Sequence, residues 1–351
     1  MPNRKKLFIY LGPHRSGSHF LNEYIAPNLG DVYATFSRDR TINTIILSAM
    51  ESHPLFFDPA PARERILARL ADVGEDIVLV NSAEFFGDYG RFNSDRHYIS
   101  QPFYDNPRRA QVLRDIFDCP DFDPPKVIMS MRRQDTWVES AYMHFIHNYR
   151  TSPFDRFVAP GTDNDFRISK NQRGHPGVDW RSLDWSIYLQ NYIDTFGAEN
   201  VLVLPFEMGT QELKAYLERL YDFMQCERYF PESAPLVNHS LSETALKIAL
   251  VLGRFVRQKD NPLGFIPDQP FAGWLRDRRA KGDNKLLWAL AGISRRINLF
   301  WFLRHVVSRY NYKRPDLLGP ERRRQILDYY RDSNKKYAEI IGVDLSKYGY
   351  Y

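Results

Sequence analysis

Four short apolar runs, Lys6–Leu11, Asp76–Val80, Lys126–Met131 and Asn200–Leu204, constrain this chain more than any other feature. Each is a nearly continuous stretch of Leu, Ile, Val, Phe or Met, the pattern of a strand buried on both faces rather than on one. Between them lie segments of helical period. Ser18–Ile25 carries Phe20, Leu21, Tyr24 and Ile25 on one side, and Thr44–Met50 and Ala62–Ala71 form a longer helical stretch. Asp135–Asn148 places Trp137, Ala141, Tyr142 and Phe145 on one face, and Thr210–Met224 follows the last run. Strands alternating with helices predict an α/β fold, a parallel, doubly wound sheet whose ligands sit beyond the carboxyl ends of the strands.

At 351 residues the chain fits one elaborated α/β domain, and 1–351 is read as a single unit. Forty-eight Lys and Arg against 43 Asp and Glu leave a formal charge of +5, without a long basic run. So mild an excess suits a small anionic ligand better than a nucleic-acid duplex. Cys119 and Cys226 lie in unrelated segments with no CxxC spacing, so neither a zinc site nor a disulfide framework is indicated, and free thiols in a reducing compartment are expected. The apolar run Leu7–Leu11 is too short for an export signal, and no stretch approaches the roughly 20 apolar residues of a membrane span. A cytoplasmic protein is expected.

Two regions depart from the alternation. Residues 150–180 are rich in Gly, Pro, Asp and Asn and are expected to form a surface loop or lid. Residues 240–310 are helical, basic and aromatic, with Trp274, Trp288 and Trp301, and read as a cap or small subdomain.

The first strand leads into Gly12-Pro13-His14-Arg15-Ser16-Gly17-Ser18-His19, just before a helix begins. Backbone N–H groups at such a junction hold a phosphate or sulfate. Gly12 and Gly17 have the GxxxxG spacing of a nucleoside-triphosphate loop, but Ser18 occupies the position where that loop needs lysine, which disfavours a kinase. The loop's cation is instead Arg15. Read alone, these residues also describe a plain tight connection. A second junction follows the third run: Arg132 ends the strand and Ser140 lies on the next helix, so a guanidinium and a hydroxyl can converge on one phosphate. A surface arginine pair capping a strand is the alternative.

Together the two junctions resemble the family of sulfotransferases that use 3'-phosphoadenosine 5'-phosphosulfate (PAPS). Its 5'-phosphosulfate loop reads strand-GPxKxGTT-helix; here Arg15 replaces the lysine and Ser18-His19 replace Thr-Thr. Its 3'-phosphate motif, strand-Arg-x7-Ser-x-Tyr, matches Arg132, Ser140 and Tyr142. Val201–Glu207, Asn238–Ser242 and the segment from Tyr329 to Tyr350 also resemble the bacterial carbohydrate-type members, and the likeness is weakest over 30–75, 150–180 and 245–310. The resemblance implies a P-loop-like three-layer fold, a central parallel sheet flanked by helices. It implies PAPS as co-substrate, held by Arg15, Ser16, Gly17, Ser18, His19, Phe20, Arg132 and Ser140, with Phe20 near the adenine.

Sulfuryl transfer resembles phosphoryl transfer: an acceptor oxygen attacks in line, charge gathers on the leaving phosphate, and catalysis is mostly positioning and electrostatics. Arg15 is the candidate for the leaving side, and no metal is expected. A base must take the acceptor's proton. Glu84, just past the second run, is the first candidate; His14 and His19, which flank the loop, are rivals, and His97 is a weaker one. Each also has an ordinary structural reading, Glu84 as a surface carboxylate and His19 as a packed or phosphate-donating imidazole.

The acceptor is a hydroxyl or amine that the sequence leaves unidentified. Glycan, lipid-linked and small-molecule acceptors all fit a basic, aromatic region. Leu299–Leu303 beside Arg295, Arg296 and Arg304 would allow peripheral contact with an anionic membrane, though a buried helix explains it as well. A P-loop kinase, or a non-catalytic nucleotide-binding or membrane-surface protein, stays open as the competing class.

Overall fold

The apolar runs become strands because their side chains have helices to bury against on both sides. In the computed structural model, which describes residues 4–87, 103, 105–147, 153–158, 178, 180–231, 241–257, 266–267, 302–310 and 312–351, they pair in parallel. Strands β1 (Lys6–Leu11), β2 (Val32–Ala34), β3 (Ile77–Asn81), β4 (Lys126–Met131) and β5 (Val201–Pro205) form one five-stranded sheet in the order β2-β3-β1-β4-β5. All four pairings are parallel, with Phe8 opposite Lys126 and Lys6 opposite Ile77 on the two sides of β1. Residues Leu7 to Leu11 are at most 2% exposed, as expected of a strand covered on both faces.

Helices cover the sheet on each side, giving the three-layer α/β arrangement expected from the alternation. Short helix α1 (Ser18–Phe20) continues as a π-helical turn, Leu21–Ile25. On one face, α2 (Arg40–Glu51), α3 (Ala60–Leu70) and α4 (Asn106–Phe117) pack on one another; α5 (Gln134–His147) follows β4, and α6 (Trp185–Phe196) packs on α4. After β5 come α7 (Phe206–Gln211) and α8 (Leu213–Met224), whose Phe223 meets Phe8 of β1 edge-on at 6.0 Å. Helix α9 (Glu243–Leu252) stands before α10 (Gly319–Ile341), which lies against α5 and α6.

Three details differ from the sequence reading. Val32–Ala34 is a fifth strand, too short to show a period of its own. The helix expected over Thr210–Met224 is two, because the chain turns at Glu212, whose backbone leaves the helical region at φ −134° and ψ 54°. Helices α4 and α6 were not anticipated. Most of 150–180 and of 240–310 lies outside the described residues, and with it the expected lid and most of the cap; of the Leu299–Leu303 stretch only Phe302, half exposed, and Leu303, buried, are described.

The strand order fixes where a ligand can sit. From β1 the chain departs toward β2 on one side, and from β4 it departs toward β5 on the other. Adjacent strands with opposite departures leave a crevice beyond their carboxyl ends, the usual ligand position in open α/β sheets. Both sequence junctions, 12–19 and 132–140, open into that crevice.

Candidate functional site

The loop after β1 is shaped by close approach and by left-handed backbone. Gly12 passes directly beside β4, where a Cβ would stand 2.3 Å from the Ser130 carbonyl oxygen. Gly17 adopts φ +104°, and a Cβ there would touch the Phe206 ring at 3.4 Å. Between them Arg15 holds φ +72°, a conformation that costs a non-glycine residue of order 1 kcal/mol and recurs at ligand sites. The loop is tied down by neighbours: the Ser130 hydroxyl donates to the Ser16 carbonyl, and the Trp137 indole N–H donates to the His14 carbonyl at 2.8 Å. The Ser16 hydroxyl itself is buried without a hydrogen-bonding partner in the protein.

Arg15, Arg132 and Ser140 meet at the mouth of the crevice. Nε of Arg15 donates to Oγ of Ser140 at 3.3 Å, and Nη1 of Arg132 donates to the Arg15 carbonyl at 3.1 Å. Arg132 also donates to Thr136 Oγ1 at 3.2 Å, and its guanidinium stands 4.6 Å from the centre of the Phe206 ring. Burial lowers the Arg132 pKa to about 10, with Glu207 pulling it back up and Arg15 among the cations adding to the fall. The side chain therefore remains charged at neutral pH, within a cluster of positive charge that an anion would relieve.

Arg133, next along the chain, faces away from this cluster. It grips the buried Asp135 carboxylate at 2.6 and 3.0 Å and donates to the Tyr348 carbonyl at 3.0 Å. Asp135 also accepts from Arg323 of α10 at 2.6 Å. Both arginines hold the Asp135 carboxyl below the usual carboxylate range despite its burial. Of the Arg132-Arg133 pair, one serves the crevice and the other anchors α10 and the residues after it.

On the β3 side of the loop, His14 is half-buried and Glu84 exposed. Burial pushes the His14 pKa down to about 4; the Glu84 carboxylate pulls the other way, while Arg15, Arg109 and His19 add to the fall. His14 is thus neutral at pH 7. Glu84 sits in the turn after β3, held by the Ser82 hydroxyl on its N–H and by Arg109 Nη1 on its carbonyl at 2.8 Å. His19 points to the surface, 3.3 Å from Glu23, and half-buried Phe20 stacks on Tyr24 with ring centres 6.2 Å apart. His97 lies outside the described residues.

Similar solved structures are sulfotransferases. One from Alicyclobacillus acidocaldarius is 16% identical over 71% of this chain and 92% of its own, with a TM-score of 0.43. The sulfotransferase domain of the curacin biosynthetic pathway is 12% identical over 66% of this chain and 76% of its own, with a TM-score of 0.34. That of the Synechococcus PCC 7002 olefin synthase is 15% identical over 94% of this chain and 96% of its own, with a TM-score of 0.32. No protein-family model and no curated protein matches the chain.

The structure brings Arg15, Arg132 and Ser140 together at the mouth of the crevice, with Ser16 and Gly17 in the adjoining loop, sets His14 where it feels the Glu84 carboxylate, and turns His19 outward. Sequence reasoning missed Phe206, Glu207 and the indoles of Trp137 and Trp185. Glu207 accepts from the Arg133 N–H at 3.1 Å, from Thr136 at 3.2 Å and from the Tyr350 hydroxyl at 2.8 Å. Its only sequence signal was an acidic residue two positions past a buried strand. Among the described residues no group of three or more His, Cys, Asp or Glu could hold a metal, and no helix is long and apolar enough to cross a membrane.

Proposed function

We propose that this chain is a sulfotransferase that takes the sulfuryl group from PAPS and passes it to a hydroxyl or amine. The observation that carries the proposal is the convergence of Arg15, Arg132 and Ser140 in the crevice between β1 and β4. Two guanidiniums and a hydroxyl, with the partnerless Ser16 hydroxyl buried in the adjoining loop, suit a ligand carrying two separated anionic groups. A nucleoside bearing a 5'-phosphosulfate and a 3'-phosphate is such a ligand.

In this reading Arg15 and the loop N–H groups stabilise the charge that collects on the leaving 5'-phosphate as the sulfur–oxygen bond breaks. Arg132 and Ser140 hold the 3'-phosphate and so fix the donor's orientation. The acceptor oxygen or nitrogen bonds to sulfur, and its proton passes to the His14–Glu84 pair. His14 is neutral and can accept it, and the Glu84 carboxylate favours the charged imidazole once formed. Metal is not required by this arrangement, since arginine supplies the positive charge. We assign the acceptor to the class of glycans, glycolipids or small molecules and place the reaction in the cytoplasm; peripheral membrane contact would run through residues 295–304.

Calorimetric titration with 3'-phosphoadenosine 5'-phosphate, without magnesium, tests the reading. Binding is expected for the wild type and should weaken about tenfold to a hundredfold in Arg15→Ala and in Arg132→Ala, the loss of one charge-assisted contact. Magnesium-dependent binding of ATP instead would mark a triphosphate enzyme, and binding without sulfate transfer to any acceptor of the three classes would mark a non-catalytic nucleotide-binding protein.

A further inference from the structure

Two buried indoles reach the two halves of the crevice from different helices. Trp137 of α5 donates its indole N–H to the carbonyl of His14 at 2.8 Å, and Trp185 of α6 donates its own to the carbonyl of Arg132 at 2.7 Å. Both side chains are fully buried, and their rings meet edge-on with centres 6.0 Å apart. Phe103 closes the group, 5.7 Å from Trp137 and 6.4 Å from Trp185. A buried indole N–H must find an acceptor, yet many carbonyls would have served. These two belong to the residue before Arg15 and to Arg132 itself.

We infer that Trp137 and Trp185 are positioning residues that set the span between the 5'-phosphate and 3'-phosphate halves of the site. This inference rests on the nucleotide reading above. Each N–H fixes the peptide from which a ligand-binding arginine departs, and the edge-on ring contact sets the distance between the two anchors. The Arg132 guanidinium also donates to the Arg15 carbonyl, one residue further along the same loop, and so ties the two halves together a second time. A ligand spanning both halves would then find the spacing already made, avoiding the cost of ordering two loops on binding.

Half-ligands read each indole separately. Trp185→Phe keeps a ring but removes the donor, and should weaken adenosine 3'-monophosphate about five- to tenfold while leaving adenosine 5'-monophosphate unchanged; Trp137→Phe should do the reverse. Phe103→Leu perturbs the packing and keeps both donors, so it should lower stability without altering the ratio of the two affinities. Should a Phe variant fail to fold, the wild-type indole resonances serve: the Trp185 N–H signal should shift on titration with the 3'-monophosphate and the Trp137 signal with the 5'-monophosphate. Equal losses for both half-ligands in each variant, or indole signals that respond alike to both, would reduce the tryptophans to core packing and overturn the inference. A wild type that binds neither half-ligand nor the bisphosphate would instead sink the nucleotide reading itself.

Discussion

His14 stands in an environment that changes its usual acid–base chemistry. An imidazole that titrates near 4 rather than 6.5 stays neutral through the physiological range, so a turnover that relies on it should show an acid limb near pH 4. A limb near 6.5 would remove His14 from the proton path. The same depression has a stability consequence of fixed sign. As pH falls through 6.5 the unfolded chain takes up this proton before the folded one does, so folding loses stability from there down to about 4. Urea unfolding at pH 7 and at pH 4.5 should show a smaller difference in His14→Gln than in the wild type. Neither effect was legible in the sequence, where His14 and His19 looked alike. What separates them is that His14 is half-buried and feels the Glu84 carboxylate, whereas His19 faces solvent and pairs with Glu23.

Among the elements, the loop after β1 is held by close contacts. A methyl group on residue 12 would be driven into the Ser130 carbonyl, and the required φ of +157° is itself unfavourable for any side chain. Gly12→Ala should therefore displace β1 from β4, lowering the thermal midpoint and abolishing nucleotide binding together; a variant that keeps both would show that the loop can move aside. The four longer strands were readable because burial on both faces leaves an uninterrupted apolar run. Val32–Ala34 escaped notice at three residues, with Tyr33 half exposed. Helix α4 escaped for another reason: buried Arg109 interrupts its apolar face, and the Asp105 carboxylate, the Glu84 carbonyl and the Met50 sulfur make that burial tolerable. The junctions themselves were legible because their chemistry is local, whereas Trp137 read as core, and its N–H bond to a carbonyl far along the chain has no sequence signature.

Across the whole molecule, Asp135 joins segments that are remote in sequence. Its side chain is fully shielded and accepts from Arg133 beside it and Arg323 of α10, while Arg323 also reaches Glu139. Asp135→Asn would leave the half-buried Arg133 and Arg323 without their shared counter-charge and should cost about 1–3 kcal/mol of folding stability, measurable by denaturant unfolding at pH 7. Because the Asp135 carboxyl lies below its unfolded value, its contribution is complete above about pH 4 and is lost as the pH falls through the folded pKa. The variant should accordingly approach the wild type in strongly acidic solution.

The central position of β1 also governs how this chain must fold. It is made before the four strands that surround it, yet Phe8 finds its partner only when Lys126 has been added, and Lys6 only after Ile77. Pairings of such long sequence separation form slowly, because each must close a large loop before any contact rewards it. In the interval β1 is an apolar strand with two open edges, the state in which chains associate with one another. The segment that carries Arg15 is thus the earliest part of the sheet to exist and among the later parts to be enclosed.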